Sequence, residues 1–144
     1  MGTQSLFDAI GGLPTLQQVH RIFYDKIYAD PWLGKFFAGH EQAAIENRQT
    51  EFMAEKMGSA EKYPGKSLRQ VHENMYISNE LVALRTSLLR ESLEEAGVDD
   101  TLAGRWMRID AAFAKQVVKS SVAEFYRDYS FAYKQRIIHP KPQG

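Results

Sequence analysis

Apolar residues recur along this chain at intervals of three and four rather than in alternation, which predicts helices and leaves little room for strands. Glycine, proline and N-capping residues such as Ser5, Pro31, Gly58, Ser78 and Gly97 divide this pattern into separate helices. The predicted helical segments are residues 5–10, 14–30, 31–37, 41–58, 66–75, 78–97 and 99–117. The pattern therefore predicts an all-α fold of about seven segments, with residues 66–75 as the shortest well-formed helix.

The chain length and composition limit the number of domains. At 144 residues with 44% hydrophobic content, the chain is long enough for one domain with a substantial core. We therefore expect a single domain over residues 1–144. The helical pattern loosens after about residue 120, so residues 120–144 are expected to form a C-terminal extension with further helix and a partly disordered end.

Charge and residue usage exclude several classes of partner. Eighteen basic residues balance eighteen acidic ones, and no basic cluster interleaves with aromatics, so neither nucleic acid nor an anionic membrane is an expected partner. Cysteine is absent, which removes disulfides and thiolate metal sites and fits a reducing compartment. The N-terminus has no signal sequence and no apolar run could span a bilayer, so we expect a cytoplasmic protein, monomeric or weakly dimeric.

One histidine lies where the helical pattern calls for an apolar residue. The stretch KSLRQVHENM places four residues on one face that is predicted to be buried, namely Leu68, Val71, His72 and Met75. A buried imidazole needs a partner. The residues around His72 leave two interpretations open: a core histidine hydrogen-bonded to a backbone carbonyl, which is commoner for a lone histidine, or a ligand.

Two further polar residues fall on or beside faces predicted to be buried. Gln49 lies on the inward stripe that Ile45, Phe52 and Met53 define, and Tyr24 borders the inward face of its own helix. A buried amide or phenol is most often satisfied by backbone or water. Three such polar side chains entering the core from three different helices nevertheless indicate a lined cavity.

The available residues limit what such a cavity could bind. A structural zinc ion needs about four protein ligands, and the positions of His20, His40 and His139 do not supply them. A haem iron needs only one protein ligand, because the porphyrin supplies four nitrogens and an apolar slot provides most of the affinity. The aromatic and aliphatic residues around His72 suit such a slot.

Five stretches of the sequence occur together in an order that identifies a family: LFDAIGG, FYDKIYADPWLGKFF, AIENRQTEFMAEKMG, YPGKSLRQVH and ELVALRTSLLRESLEEAGV. In these stretches, which cover residues 5 to about 98, the chain resembles the group I truncated haemoglobins. That family has a shortened globin fold that stacks two helices over two around a b-type haem. Each stretch alone is a weak motif, but their joint order favours the ligand interpretation of His72.

The resemblance implies roles for individual positions around haem b. His72 is similar to the proximal ligand of a five-coordinate iron, and Phe37 to the aromatic residue that packs against the porphyrin. Tyr24 and Gln49 are similar to the distal pair that hydrogen-bonds a diatomic ligand. These are positions that the helical pattern already marks as unusual.

Other positions are implied to hold the rest of the cofactor. Arg48, Tyr63 and Lys66 are candidates for contacts with the haem propionates, although a solvated surface role suits Arg48 and Lys66 nearly as well. The apolar candidates for lining the haem are Phe23, Ile45, Phe52, Met53, Leu68, Val71 and Ile77.

The chain departs from the family pattern at several positions. Arg85 stands where relatives place an apolar or aromatic residue facing the haem, so either it points away along the surface or it makes an unusual polar contact. The second glycine pair of the family is here Gly58-Ser59, a mild change. Ile45 and Arg48 provide no histidine on the distal helix, which argues against bis-histidine coordination from that helix.

Three classes of function remain open on the sequence alone. The first is a haem protein for oxygen storage or transport, or one that binds nitric oxide or carbon monoxide. The second is a haem enzyme, a nitric oxide dioxygenase or a peroxidase-like enzyme, which would need a reductase as partner. The third is a haem-free helical module that binds an apolar ligand or a partner. The first two use the same pocket residues, so the sequence does not separate them.

Overall fold

The structure is a computed structural model that describes residues 4–128 and 136–143. These residues form seven α-helices and one 3-10 helix and contain no strand, which confirms the all-α prediction for the described part of the chain. The elements in order are α1 Leu6–Ala9, α2 Leu13–Ala29, the 3-10 helix Leu33–Phe37, α3 Gln42–Lys56, α4 Leu68–His72, α5 Asn79–Glu95, α6 Asp100–Ala114 and α7 Val122–Asp128.

Short polar side chains begin several of these helices. Ser5 accepts a hydrogen bond from the Asp8 N–H at 3.1 Å, and Ser78 accepts one from the Leu81 N–H at 3.2 Å. These bonds satisfy backbone donors that have no partner inside the helix. The helix starts predicted at Ser5 and Ser78 are therefore confirmed.

Two details of the predicted helices are wrong. The helix α1 has four residues and is shorter than α4, which has five. The helix α6 ends at Ala114 and not at Val117, and residues 115–117 continue as turns. Apolar spacing marks the face of a helix more reliably than its last turn, because turns and fraying ends keep similar residues.

The helices α2, α3, α5 and α6 position the interior of the molecule. The helix α2 packs against both α3 and α5, and α5 packs against α6. The buried stripe of α2 agrees with the predicted one and consists of Leu16, Val19, Phe23 and Ile27. Trp106 of α6 is completely buried in the same core. Burial of this apolar surface holds the four helices around a shared interior.

The C-terminal residues 136–143 return to the helical body. Ile137 donates from its backbone N–H to the Asn74 carbonyl at 2.7 Å, and its carbonyl accepts from the Tyr76 N–H at 2.8 Å. The Trp32 indole donates to the His139 carbonyl at 2.8 Å. The expected loose C-terminal segment falls partly on residues 129–135 and 144, which lie outside the described residues.

Within residues 4–128 and 136–143, no helix combines the length and the apolar character needed to cross a membrane.

Candidate functional site

His72 lies at the last position of α4, a helix that begins with a reciprocal cap. The Ser67 hydroxyl accepts from the Gln70 N–H at 3.2 Å, and the Gln70 side-chain oxygen accepts from the Ser67 N–H at 3.1 Å. This capping box stabilises the start of a helix that has only five residues. It thereby fixes the backbone that carries His72.

The hydrogen bond of the His72 ring determines which nitrogen is available. The Nδ1 atom lies 2.8 Å from the Leu68 carbonyl oxygen, which can only accept, so Nδ1 carries the proton. Burial lowers the pKa of His72, the Leu68 bond opposes this shift, and the charges of Arg85 and Lys119 add to the lowering. The result is a neutral imidazole whose Nε2 lone pair is available to a metal ion.

A buried lysine supports the end of the same helix. Lys119 is 2% exposed and donates from Nζ to the His72 carbonyl and to the Met75 carbonyl, each at 2.7 Å. Burial lowers the pKa of Lys119 to about 8, and Glu73 partly opposes that shift. The last carbonyls of a helix lack intrahelical donors, so the Lys119 ammonium supplies a donor to the carbonyl of the last residue of α4. Sequence reasoning missed Lys119, because it follows the last regular helical pattern.

Tyr24 lies on the buried face of α2 between two phenylalanine rings. Its ring centroid is 5.0 Å from that of Phe23 and 5.9 Å from that of Phe37, both in edge contacts. Burial raises the pKa of Tyr24 to about 12, while the positive charge of Arg85 opposes that shift. The hydroxyl therefore keeps its proton at neutral pH and can donate it. The structure thus brings three of the predicted site residues, Phe23, Tyr24 and Phe37, into contact.

Gln49 is half-buried on α3, next to the point where α3 meets α2. There the ring of His20 hydrogen-bonds the Thr50 hydroxyl through Nδ1 at 2.8 Å. Burial, followed by the charge of Arg85, lowers the pKa of His20 to about 3, so this ring is neutral. His20 precedes Tyr24 by one helical turn and Thr50 follows Gln49 in the sequence, so this bond joins α2 to α3 at positions near both distal candidates.

The sequence left two positions open for the Arg85 side chain, along the surface or in a polar contact, and the structure shows the polar contact. Its Nη1 atom donates to the Asp110 carboxylate at 2.7 Å, and its Cζ atom lies 5.1 Å from the centre of the Phe23 ring. The positive charge of the guanidinium also acts on Tyr24 and opposes the rise of its pKa. Asp110 is 5% exposed and lies one helical turn after the buried Trp106, a signal that sequence reasoning missed.

The apolar candidates do not all occupy the same environment. Phe23 and Met53 are buried in the main core, and Phe37, Ile45 and Ile77 pack against it. Phe52 is buried in a separate aromatic contact with Tyr63 and Phe113, at ring distances of 5.4 and 5.1 Å.

The prediction that Val71 lies on a buried face is wrong. Val71 is 39% exposed, whereas Leu68 and His72 are partly buried. Leu68 and His72 are four residues apart and share a face, but Val71 is about 100° around the helix from His72. A helix of five residues presents only one face to the body of the molecule. Arg48 and Lys66 are exposed, which is compatible with either of their proposed roles.

Comparison with known proteins places the chain in a family. A family model described as bacterial-like globin matches residues 5–127. The chain belongs to the bacterial-like globin family. This globin is 34% identical over 94 residues to the group 1 truncated hemoglobin GlbN of Mycolicibacterium paratuberculosis, a match that covers 65% of this chain and 69% of the relative. It is 26% identical over 99 residues to the group 1 truncated hemoglobin of Tetrahymena pyriformis, covering 69% and 82% of the two chains.

Solved structures agree with this globin in fold. The truncated hemoglobin from Tetrahymena pyriformis in its Fe(III) form has a TM-score of 0.75 at 23% identity, over 81% of this chain and 100% of the other. The group II truncated hemoglobin from Bacillus anthracis has a TM-score of 0.76 at 19% identity, over 83% and 95%. The predicted truncated globin fold is therefore confirmed, and membership of the globin family supports haem as the cofactor.

Proposed function

We propose that this globin holds haem b through His72 and binds a diatomic gas on the opposite side of a five-coordinate iron. The observation that carries the proposal is the bond of 2.8 Å from the His72 Nδ1 to the Leu68 carbonyl. That bond leaves Nε2 unprotonated and fixes the plane of the ring, which are the two requirements for an axial imidazole ligand.

The donor chemistry around His72 fits a haem. The iron of a haem needs one protein ligand, and the porphyrin needs an apolar slot. Phe23 and Met53 are buried, and Phe37, Ile45 and Ile77 pack beside them, so apolar side chains are available for that slot. When bound, the haem supplies an iron that accepts a diatomic ligand.

Tyr24 and Gln49 would form the distal side. The Tyr24 hydroxyl keeps its proton, because burial raises its pKa to about 12, and it can donate that proton to an oxygen ligand. Gln49 would add an amide donor from the adjacent helix α3. Hydrogen bonds to a partly anionic ligand slow its release, while the surrounding apolar side chains exclude water.

Haem reconstitution tests this proposal. The purified chain with added haem should show a Soret band and a five-coordinate ferrous spectrum. His72→Ala should lose that spectrum and regain it with added imidazole, because free imidazole can take the place of the deleted ring. His40→Ala is the matched control at an exposed position and should leave the spectrum unchanged. A normal ferrous spectrum in His72→Ala would show that another residue holds the iron.

A further inference from the structure

The C-terminal segment, residues 136–143, pairs with the residues that follow the candidate iron ligand. The Ile137 N–H donates to the Asn74 carbonyl at 2.7 Å, and the Ile137 carbonyl accepts from the Tyr76 N–H at 2.8 Å. Asn74 and Tyr76 follow His72 by two and four positions. These two bonds therefore fix the backbone directly after the imidazole, which would otherwise need other partners for the same groups.

The C-terminal segment has a second anchor at the 3-10 helix and the turn before it. The Trp32 indole donates to the His139 carbonyl at 2.8 Å, and the His139 ring makes an edge contact with the Phe36 ring at a centroid distance of 4.8 Å. Phe36 is followed by Phe37, whose ring contacts that of Tyr24. The second anchor therefore lies beside the residues proposed for the porphyrin face and the distal side.

The two anchors lie on elements that carry opposite sides of the proposed haem site. The helix α4 carries His72, and the 3-10 helix carries Phe37. Residues 136–139 are partly buried, so this part of the chain packs against the helical body. It lies beyond residues 5–127, the part that matches the globin family model. Membership of the family therefore does not account for this connection.

We propose that the C-terminal segment positions His72 and slows haem loss by fastening the residues after α4 to the 3-10 helix. The inference rests on the proposed function, since it assumes that His72 holds the iron. Haem leaves only when its axial bond breaks and its slot opens, so a connection across the slot makes opening rarer. The bonds of Ile137 to the backbone after His72 also limit how the imidazole can tilt, as supporting contacts of a metal ligand do.

Two deletions test the segment as a whole. Haem transfer to an acceptor protein gives the rate of haem loss, and resonance Raman spectroscopy of the ferrous protein gives the iron–histidine stretching frequency. Deleting residues 136–144 removes three hydrogen bonds, so haem loss should accelerate by at least about tenfold and the frequency should shift. Deleting residues 140–144 keeps both anchors and loses the exposed ion pair of Lys141 with Glu80, so neither quantity should change.

One substitution tests the anchor at the 3-10 helix. Trp32→Phe keeps an aromatic ring but removes the donor to His139, so haem loss should accelerate by about three- to tenfold, as for one neutral hydrogen bond. The matched control is the same substitution in the chain that lacks residues 136–144. There it should have no further effect, because the acceptor is already gone.

Three results would overturn the inference. Unchanged haem loss in Trp32→Phe would do so, even if the chain without residues 136–144 failed to fold. Equal acceleration in the two deletions would show that the two anchors are not responsible. An unchanged iron–histidine frequency without residues 136–144 would show that the segment stabilises the fold but does not position His72. Absence of a Soret band in the full chain with added haem is recognisably different, because it rejects the proposed function and this inference with it.

Discussion

Lys119 and His72 are joined by a hydrogen bond of 2.7 Å from the lysine ammonium to the histidine main-chain carbonyl. The same ammonium donates to Met75, and the Lys119 N–H donates to the Ile77 carbonyl at 2.8 Å. One residue therefore fastens the end of α4 and the segment that follows it. The position of the candidate iron ligand depends on a side chain about fifty residues further along the chain.

Replacing Lys119 should loosen this arrangement. Lys119→Met keeps the length of the side chain but leaves two carbonyls without their donor, which should lower the free energy of unfolding by about 1.5–3 kcal/mol. Haem dissociation should also accelerate, because α4 would hold His72 less firmly. Urea unfolding and haem transfer to an acceptor protein measure the two effects. Lys115→Met, at an exposed position, is the matched control and should change neither.

The buried His20 should make the fold sensitive to acid. Its pKa is about 3 in the folded protein, against 6.5 in an ordinary histidine, so between these values the unfolded chain binds a proton that the folded one does not. Stability from this residue is therefore full above pH 6.5 and falls as the pH drops, by about 1.4 kcal/mol per pH unit.

A variant without the titrating ring tests this acid sensitivity. His20→Gln keeps a group that can hydrogen-bond Thr50, and its free energy of unfolding should fall less steeply between pH 6.5 and pH 3 than that of the unmodified protein. His40→Gln, at an exposed position, should leave the slope unchanged. Parallel slopes for His20→Gln and the unmodified protein would mean that His20 already binds its proton in the folded state.

Local sequence signals predicted the helices well, because caps and apolar spacing act within one turn. Ser5 and Ser78 begin helices as expected, and the buried stripe of α2 is the predicted one. His72 stood out because a polar ring interrupted an apolar face. Its identity as the iron ligand, like the roles of Tyr24 and Gln49, stays a prediction that the experiments above and below address.

Contacts between distant helices could not be predicted from local pattern. Arg85 stood out as a departure from the family, but its direction depends on Asp110, which α6 brings to it from 25 residues away. Lys119 lies in a loop without helical periodicity. Its burial depends on the tertiary contact with the end of α4, which local sequence does not indicate. The predicted burial of Val71 was wrong for the opposite reason. Its spacing suggested a buried side chain, but a five-residue helix has too little surface to bury two faces.

The C-terminal segment should protect the backbone that follows α4. The Tyr76 amide donates to the Ile137 carbonyl at 2.8 Å, so deleting residues 136–144 should expose it and speed its hydrogen exchange by about tenfold. Amides in the centre of α2 should exchange as before. Deleting only residues 140–144 keeps Ile137 and His139 and should leave the Tyr76 amide protected. Equal hydrogen-exchange rates of the Tyr76 amide in both deletions and in the full chain would show that the bond to Ile137 does not protect it.

The distal proposal predicts that oxygen and carbon monoxide respond differently to the loss of Tyr24. A hydrogen bond to a partly anionic ligand contributes about 1.5–3 kcal/mol, so Tyr24→Phe should speed oxygen release by about one to two powers of ten. Carbon monoxide is a weaker acceptor, and its release rate should change much less. Gln49→Leu should show the same selectivity with a smaller effect, if the tyrosine is the main donor. Stopped-flow displacement of each gas gives these rates.

The double variant tests whether Tyr24 and Gln49 act on the same ligand. If both donors bond the same ligand, their free-energy effects on oxygen release should not add. The fold-change in the oxygen release rate of the double variant should then differ from the product of the two single fold-changes. Glu51→Gln is a control at an exposed position on α3, and it should not distinguish the two gases. Small, equal changes for oxygen and carbon monoxide in Tyr24→Phe and Gln49→Leu would mean that neither side chain faces the iron. The distal assignment would then be wrong even if His72 binds the haem, because the proximal bond to Leu68 does not depend on either residue.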